Sequence, residues 1–148
     1  MQKINVFFKK LENDAKVPTY GSPYSAGADL YALCKEPVTV TAGKSAFIHT
    51  GLSLEIPEGV VGLIYARSGM ACKRGVAPAN KVGVIDSDYR GEIIVCLHNH
   101  GNEDVVIENG ERVAQMVFAP YFTAEFAESE ELSDTSRGAG GFGSTGTK

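Results

Sequence analysis

The chain has 148 residues, of which 43% are hydrophobic and 22% charged, and its net charge is -4. That length and balance describe one domain able to bury a core without disulfide or metal staples, and they exclude wholesale disorder. The acidic balance and the absence of a basic run exclude a nucleic-acid or anionic-lipid partner, but leave room for an anionic small molecule met by a few local donors.

Apolar residues fall in short runs broken by Gly, Pro, Asn and Asp, and Val, Ile, Phe, Tyr and Thr dominate those runs. The first, residues 4–11, alternates like a strand; it has no signal-peptide core and is neither Arg- nor Ser-rich. No apolar stretch approaches the roughly 20 residues of a membrane span. Further strands are predicted at 29–33, 38–40, 45–50, 52–56, 60–66, 83–86, 92–98, 104–107 and 112–122. Both faces of 92–98 are apolar, with Ile93, Val95 and Leu97 on one and Ile94, Cys96 and His98 on the other, so burial on both sides is expected. Helical periodicity is confined to one turn at 68–73, with Ser68 as N-cap and Gly75 closing it. The pattern predicts an all-β sandwich or jelly roll with one short helical turn.

Residues 123–134 carry five acidic side chains and no basic one, and 133–148 is mostly Ser, Gly and Thr. The shift places a packed domain at 1–126 and a mobile arm at 127–148. Cys34, Cys72 and Cys96 are odd in number and form no C-x-x-C pair, which suits a reducing compartment, cytosol or nucleus.

Four stretches carry possible chemistry. Arg137 to Gly146 holds five of the 17 glycines, and such a run can converge backbone N–H groups on an anion while Arg137, Ser144 and Thr145 add donors and Phe142 a stacking face. Composition alone favours a plain flexible tail. In 80–92, read as two strands joined by a hairpin turn, Asp86 follows an apolar strand where a carboxylate can be partly desolvated and act as general base, with Tyr89 beside it. Ala66-Arg67-Ser68-Gly69 ends a strand and opens the helical turn, a place for phosphate or for an ordinary cap. Gly110 to Gln115 is a turn leading into a strand. The three histidines lack metal-ligand spacing and read as structural or surface residues, and the cysteines as small apolar fillers.

Together and in this order, Ala26 to Leu30, Ala66 to Gly69, Gly83 to Gly91, Gly110 to Gln115 and Arg137 to Gly146 make the chain resemble the trimeric dUTPase family, the deoxyuridine triphosphate nucleotidohydrolases, along nearly its whole length. The resemblance implies a jelly-roll homotrimer that hydrolyses dUTP to dUMP and pyrophosphate with Mg2+, each site using parts of three chains. It implies that Asp86 activates the water attacking the α-phosphorus and contacts the sugar 3′-OH, and that Tyr89 packs under the deoxyribose. It assigns uracil recognition to Asn80, to the backbone of Gly83, Val84 and Ile85, and to the region of Ile94. It assigns the phosphates to Arg67, Ser68, Gly69 and Gln115, with Arg137, Gly143, Ser144 and Thr145 closing from the arm and Phe142 stacking on uracil. The metal is carried mainly by the substrate phosphates, and Asp29 either reaches it through water or is structural. Within the superfamily a dCTP deaminase is the rival enzyme; a trimer that binds nucleotide without turnover is the rival of another class.

Overall fold

Period-two alternation governs the fold. In a computed structural model, which describes residues 3–141, eleven strands and one short helix form among the described residues. They are β1 (Phe7–Lys10), β2 (Thr19–Tyr20), β3 (Ala28–Tyr31), β4 (Val38–Val40), β5 (Ser45–Glu55), β6 (Val60–Tyr65), β7 (Val76–Pro78), β8 (Gly83–Ile85), β9 (Glu92–Asn99), β10 (Val105–Ile107) and β11 (Arg112–Pro120). They build a four-stranded sheet ordered β1-β5-β9-β7, a five-stranded sheet ordered β2-β3-β11-β6-β8, and a β4–β10 ribbon, with every pairing antiparallel. The inward residues of all three meet in one core that includes Leu30, Val40, Ile48, Ile64, Leu97 and Met116. The expected all-β jelly roll is the observed fold. No helix among the described residues is long and apolar enough to cross a membrane.

Several local expectations change. The runs at 45–50 and 52–56 are one strand, β5, kinked by a register shift between His49 and Ser53, where Gly51 takes φ +67. A bulge absorbs the interruption that the sequence suggests as a break. Two short strands escape pattern recognition. β2 has two residues, and β7 contains Pro78, which cannot donate to a ladder and is tolerated because β7 lies at the sheet edge. β9 buries only one face: Ile93, Val95, Leu97 and Asn99 point inward, while Glu92, Ile94, Cys96 and His98 point outward and Ile94 is 37% exposed. A strand in a two-layer packing has one inner face, and here the outer one is left uncovered by this chain.

The predicted 80–92 hairpin does not form. β8 pairs with β6, and β9 pairs with β5 and β7, so the turn between them crosses from one sheet to the other. Asn99 is fully buried at the end of β9. Its amide donates to the carbonyls of Val40 (2.8 Å) and Glu103 (2.7 Å), and its oxygen accepts from Gly101 N–H (2.9 Å). After β11 ends at Pro120 the chain leaves the core, with Phe122 100% and Phe126 96% exposed.

Candidate active site

Two groups of the predicted residues come together, at opposite ends of the five-stranded sheet. The first lies where β3, β11 and β6 run abreast. Asp29 pairs in register with Gln115, and Gln115 with Tyr65, so one transverse row holds all three and Arg67 follows two residues beyond. The resulting cleft, about 500 Å³, is lined by Gly21, Ser25, Asp29, Arg67, Ser68, Arg112 and Gln115, among others. Asp29 is only 7% exposed. Its Oδ1 accepts from Arg67 Nε at 2.7 Å and its Oδ2 from an Arg112 guanidinium nitrogen at 3.2 Å. One carboxylate therefore orients two guanidinium groups, leaving a net positive charge of about one in the cleft. Gln115 Nε2 donates to the Ala66 carbonyl at 2.9 Å, which ties β11 to the segment carrying Arg67. Gly27 makes that side chain's position possible, because a Cβ there would stand 2.5 Å from Gln115 Oε1.

Ser68 does not cap. The helix after it, Gly69–Lys73, is a single π-helical turn, and Ser68 itself has helical angles (φ -55, ψ -40) with no side-chain capping bond. A capping side chain needs the extended backbone that Ser68 lacks. Ser68 is exposed and lines the cleft. Gly75, at φ +69 just past the helix, closes it as predicted.

The second group surrounds the turn between β8 and β9. Val84, Ile85, Asp86, Tyr89, Glu92 and Ile94 line a cleft of about 180 Å³, and a wider acidic hollow beside it includes Glu58, Asp86, Asp88 and Tyr121. The turn is closed by the Tyr89 N–H donating to the Asp86 carbonyl (3.2 Å) and by the Arg90 guanidinium donating to the Ser87 carbonyl (2.6 Å). Tyr89 Oη donates to the Glu92 carbonyl at 3.0 Å, folding its ring back over Gly91, where any Cβ would collide with the ring. β8 is the last strand of its sheet, so one edge of its backbone has no strand partner. Before it, Lys81 holds a left-handed φ of 66, which turns the chain beside Asn80.

Asp86 is exposed in the single chain, contrary to the expected partial desolvation, because it sits at the turn end of that edge strand. Nor do the two groups meet. Gly62 pairs with Ile85, which sets Asp86 beside Val61, six residues before Arg67. The strand part of that path, the four steps from Val61 to Tyr65 in the row of Asp29 and Gln115, is roughly 13 Å at about 3.3 Å per residue. The two clefts share no lining residue.

Asn80 is exposed and lines neither cleft, and Gly69 opens the π-helix without lining the first. Arg137 folds onto its own loop, Nε donating to the Gly140 carbonyl at 2.9 Å. Phe142, Gly143, Ser144 and Thr145 lie outside the described residues.

No three His, Cys, Asp or Glu side chains gather into a metal cage among the described residues, and both Asp29 oxygens already accept from guanidinium groups.

The sequence did not single out Arg112, Glu92 or His49. Arg112 sits inside the quoted Gly110–Gln115 motif, which was the available signal; Glu92 and His49 are 43 positions apart and meet only across β5 and β9. Burial pushes the Glu92 carboxyl up, but hydrogen bonds from His49 and the Gly51 and Thr50 N–H groups outweigh it and hold it below the usual carboxylate range. The three cysteines are unpaired, and burial, with Glu108 and Glu36 nearby, pushes the Cys34 thiol up.

Comparison with known proteins matches this arrangement to one family. The dUTPase family model covers residues 13–146. The chain is 48% identical over 145 residues to the deoxyuridine 5′-triphosphate nucleotidohydrolase of Desulfitobacterium hafniense, covering 97% of this chain and 96% of that one. It is 50% identical over 139 residues to the protein of the same name from Rickettsia bellii, covering 93% of each. Its fold superposes on Staphylococcus bacteriophage 80alpha dUTPase with dUPNHPP at a TM-score of 0.89, with 29% identity over 98% of this chain and 100% of that one. A mutant dUTPase from phage phi11 of S. aureus, described for its coordination of a structural Mg(II) ion, superposes at 0.78 with 25% identity, over 87% of this chain and 99% of that one. Matched from residue 13 to residue 146 and half identical to such enzymes over almost its full length, the chain belongs to the dUTPase family.

Proposed function

We propose that the chain hydrolyses dUTP to dUMP and pyrophosphate in sites assembled between copies of itself, as a homotrimer. The observation that carries this reading is the separation of its two halves. An anion-holding cleft and an aspartate-bearing turn lie at opposite ends of one sheet and share no lining residue, so a second copy would bring the complementary half to each. Ile94 on the outward face of β9 and the exposed Phe122 and Phe126 beyond β11 supply apolar surface for such association.

In the joined site, Arg67, Ser68, Gly69 and Gln115 hold the phosphates. Asp86 accepts the proton of the water that attacks the α-phosphorus and contacts the 3′-OH. Phosphoryl transfer demands positioning and charge neutralisation more than covalent groups, and this residue set provides both. Magnesium bound to the triphosphate neutralises its charge. Tyr89, its ring held over Gly91, packs under the deoxyribose and leaves no room for a 2′-OH. The unpaired edge of β8 from Gly83 to Ile85, with Asn80 and Ile94, reads the uracil edge. The arm adds Arg137, Gly143, Ser144 and Thr145 on the phosphates and Phe142 on the base, and its closure excludes water.

Pyrophosphate release from dUTP, with UTP, dTTP and dCTP as controls, tests the reading, alongside the mass of the particle by light scattering. Turnover of dUTP alone by a trimer is expected. Ammonia release from dCTP would assign the deaminase reaction instead, and tight dUTP binding without pyrophosphate would leave a binding module.

A further inference from the structure

Glu92 lines the cleft of Asp86 and Tyr89, yet the chemistry above gives it no task. Its carboxylate is committed to the β5 bulge. Oε1 accepts from the Gly51 N–H at 2.8 Å and the Thr50 N–H at 3.2 Å, and Oε2 accepts from His49 Nδ1 at 2.8 Å. Its main-chain carbonyl accepts the Tyr89 hydroxyl at 3.0 Å. One residue therefore links a fixed kink in a core strand to the ring assigned to the sugar. Ser53, on the other side of the same bulge, adds a parallel tie, its hydroxyl donating to the Arg90 carbonyl at 2.7 Å.

We propose that Glu92 is a positioning residue for Tyr89, and that the bulge–Glu92–Tyr89 linkage sets how strongly a 2′-hydroxyl is rejected. The inference rests on the dUTP reading above. The physical ground is the nature of the tether. Tyr89 and its turn are exposed, so no surrounding core fixes the ring. What fixes it is the Glu92 carbonyl on one side and the absence of a Cβ at Gly91 on the other. The position of that carbonyl is in turn held by a carboxylate with three donors, at least two of them backbone N–H groups that cannot move without opening β5. Burial pushes the carboxyl up, but the His49, Gly51 and Thr50 hydrogen bonds outweigh it and hold it below its ordinary value, so the acceptor is the charged form that strengthens all three bonds. A steric filter tolerates little displacement, since a ring shifted by about 1 Å changes reactivity by up to about a hundredfold in a positioned site.

The test uses the full chain and its Glu92→Gln and Ser53→Ala variants. For each, kcat/KM is measured for dUTP and for UTP, together with the thermal midpoint. Glu92→Gln preserves shape but removes the charge and half of the acceptor capacity. The dUTP-to-UTP ratio is expected to fall about tenfold in Glu92→Gln and to move in the same direction, by less, in Ser53→Ala. Glu92→Asp, which keeps the charge on a shorter arm, should recover part of the ratio. A lowered midpoint with the ratio unchanged would overturn the proposal and leave Glu92 a purely structural brace. If Glu92→Gln does not fold, Ser53→Ala decides: an unchanged ratio there also overturns it. Failure of the parent protein to release pyrophosphate from dUTP would overturn the dUTP reading itself and the inference with it.

Discussion

Replacement of Asp29 by Asn is the sharpest probe of the anion cleft. The Asp29 side chain is 10% exposed, that of Arg67 25% and that of Arg112 51%. The 2.7 Å Arg67 bond is partly buried and charge-assisted, a kind worth about 1.5–3 kcal/mol. The longer Arg112 bond faces water and contributes about 0–1 kcal/mol after screening. Asn keeps one acceptor oxygen but leaves two cations facing each other without a counter-charge. A loss of about 2–3 kcal/mol is therefore expected by urea denaturation at fixed protomer concentration. With Arg67 no longer held in one orientation, kcat/KM for dUTP should fall by about a hundredfold. The Mg2+ concentration for half-maximal rate should stay where it is. A double-mutant cycle of Asp29→Asn with Arg67→Gln should give a coupling of about 1.5–3 kcal/mol. Stability within about 0.5 kcal/mol of the parent and no coupling would refute the argument. A shifted Mg2+ midpoint with intact stability would place Asp29 on the hydrated metal instead.

Other outcomes follow from the same geometry. Asp86→Asn should retain dUTP binding but lose pyrophosphate release by about 10² or more, since a positioned base contributes about 10²–10⁴ in rate; unchanged turnover would remove Asp86 as the base. Truncation after Asp134 should leave a folded trimer with sharply reduced kcat/KM, and normal kinetics would make the arm a linker. Asn99→Ala strands the Val40 and Glu103 carbonyls and the Gly101 N–H, so a loss of about 1–3 kcal/mol or more is expected by denaturation. The Glu92 carboxyl lies below its ordinary value in the folded protein, so its stabilisation is complete above about pH 4.3 and fades as pH falls through the depressed folded value. The stability gap between the parent and Glu92→Gln should therefore be constant near neutrality and close in acid; a gap that persists in acid would contradict the assigned hydrogen bonds.

Much of this molecule was legible in one dimension. Short alternating runs of β-branched and aromatic residues demand strands, because each has to bury one face, and no run offers a helical stripe. Arg67 with Ser68 and Asp86 with Tyr89 were identifiable because their motifs occur together and in order with three others along the chain; each alone reads as a cap or a turn. What stayed hidden were relations between distant strands. Whether 80–92 closes as a hairpin or crosses between sheets depends on which strands β8 and β9 pair with, not on the turn's own residues. The pairing of Glu92 with His49 and the Gly51 bulge, and of Asp29 with both Arg67 and Arg112, arises from register across three strands.

Composition and alternation determined that this is an all-β chain, since those properties are local and additive along the sequence, while the order of its motifs carried the family resemblance. Only the tertiary structure decided that the cleft of Asp29 and Arg67 and the turn of Asp86 stand at opposite ends of one sheet. Distance between side chains is set by strand order and register, which no single segment encodes.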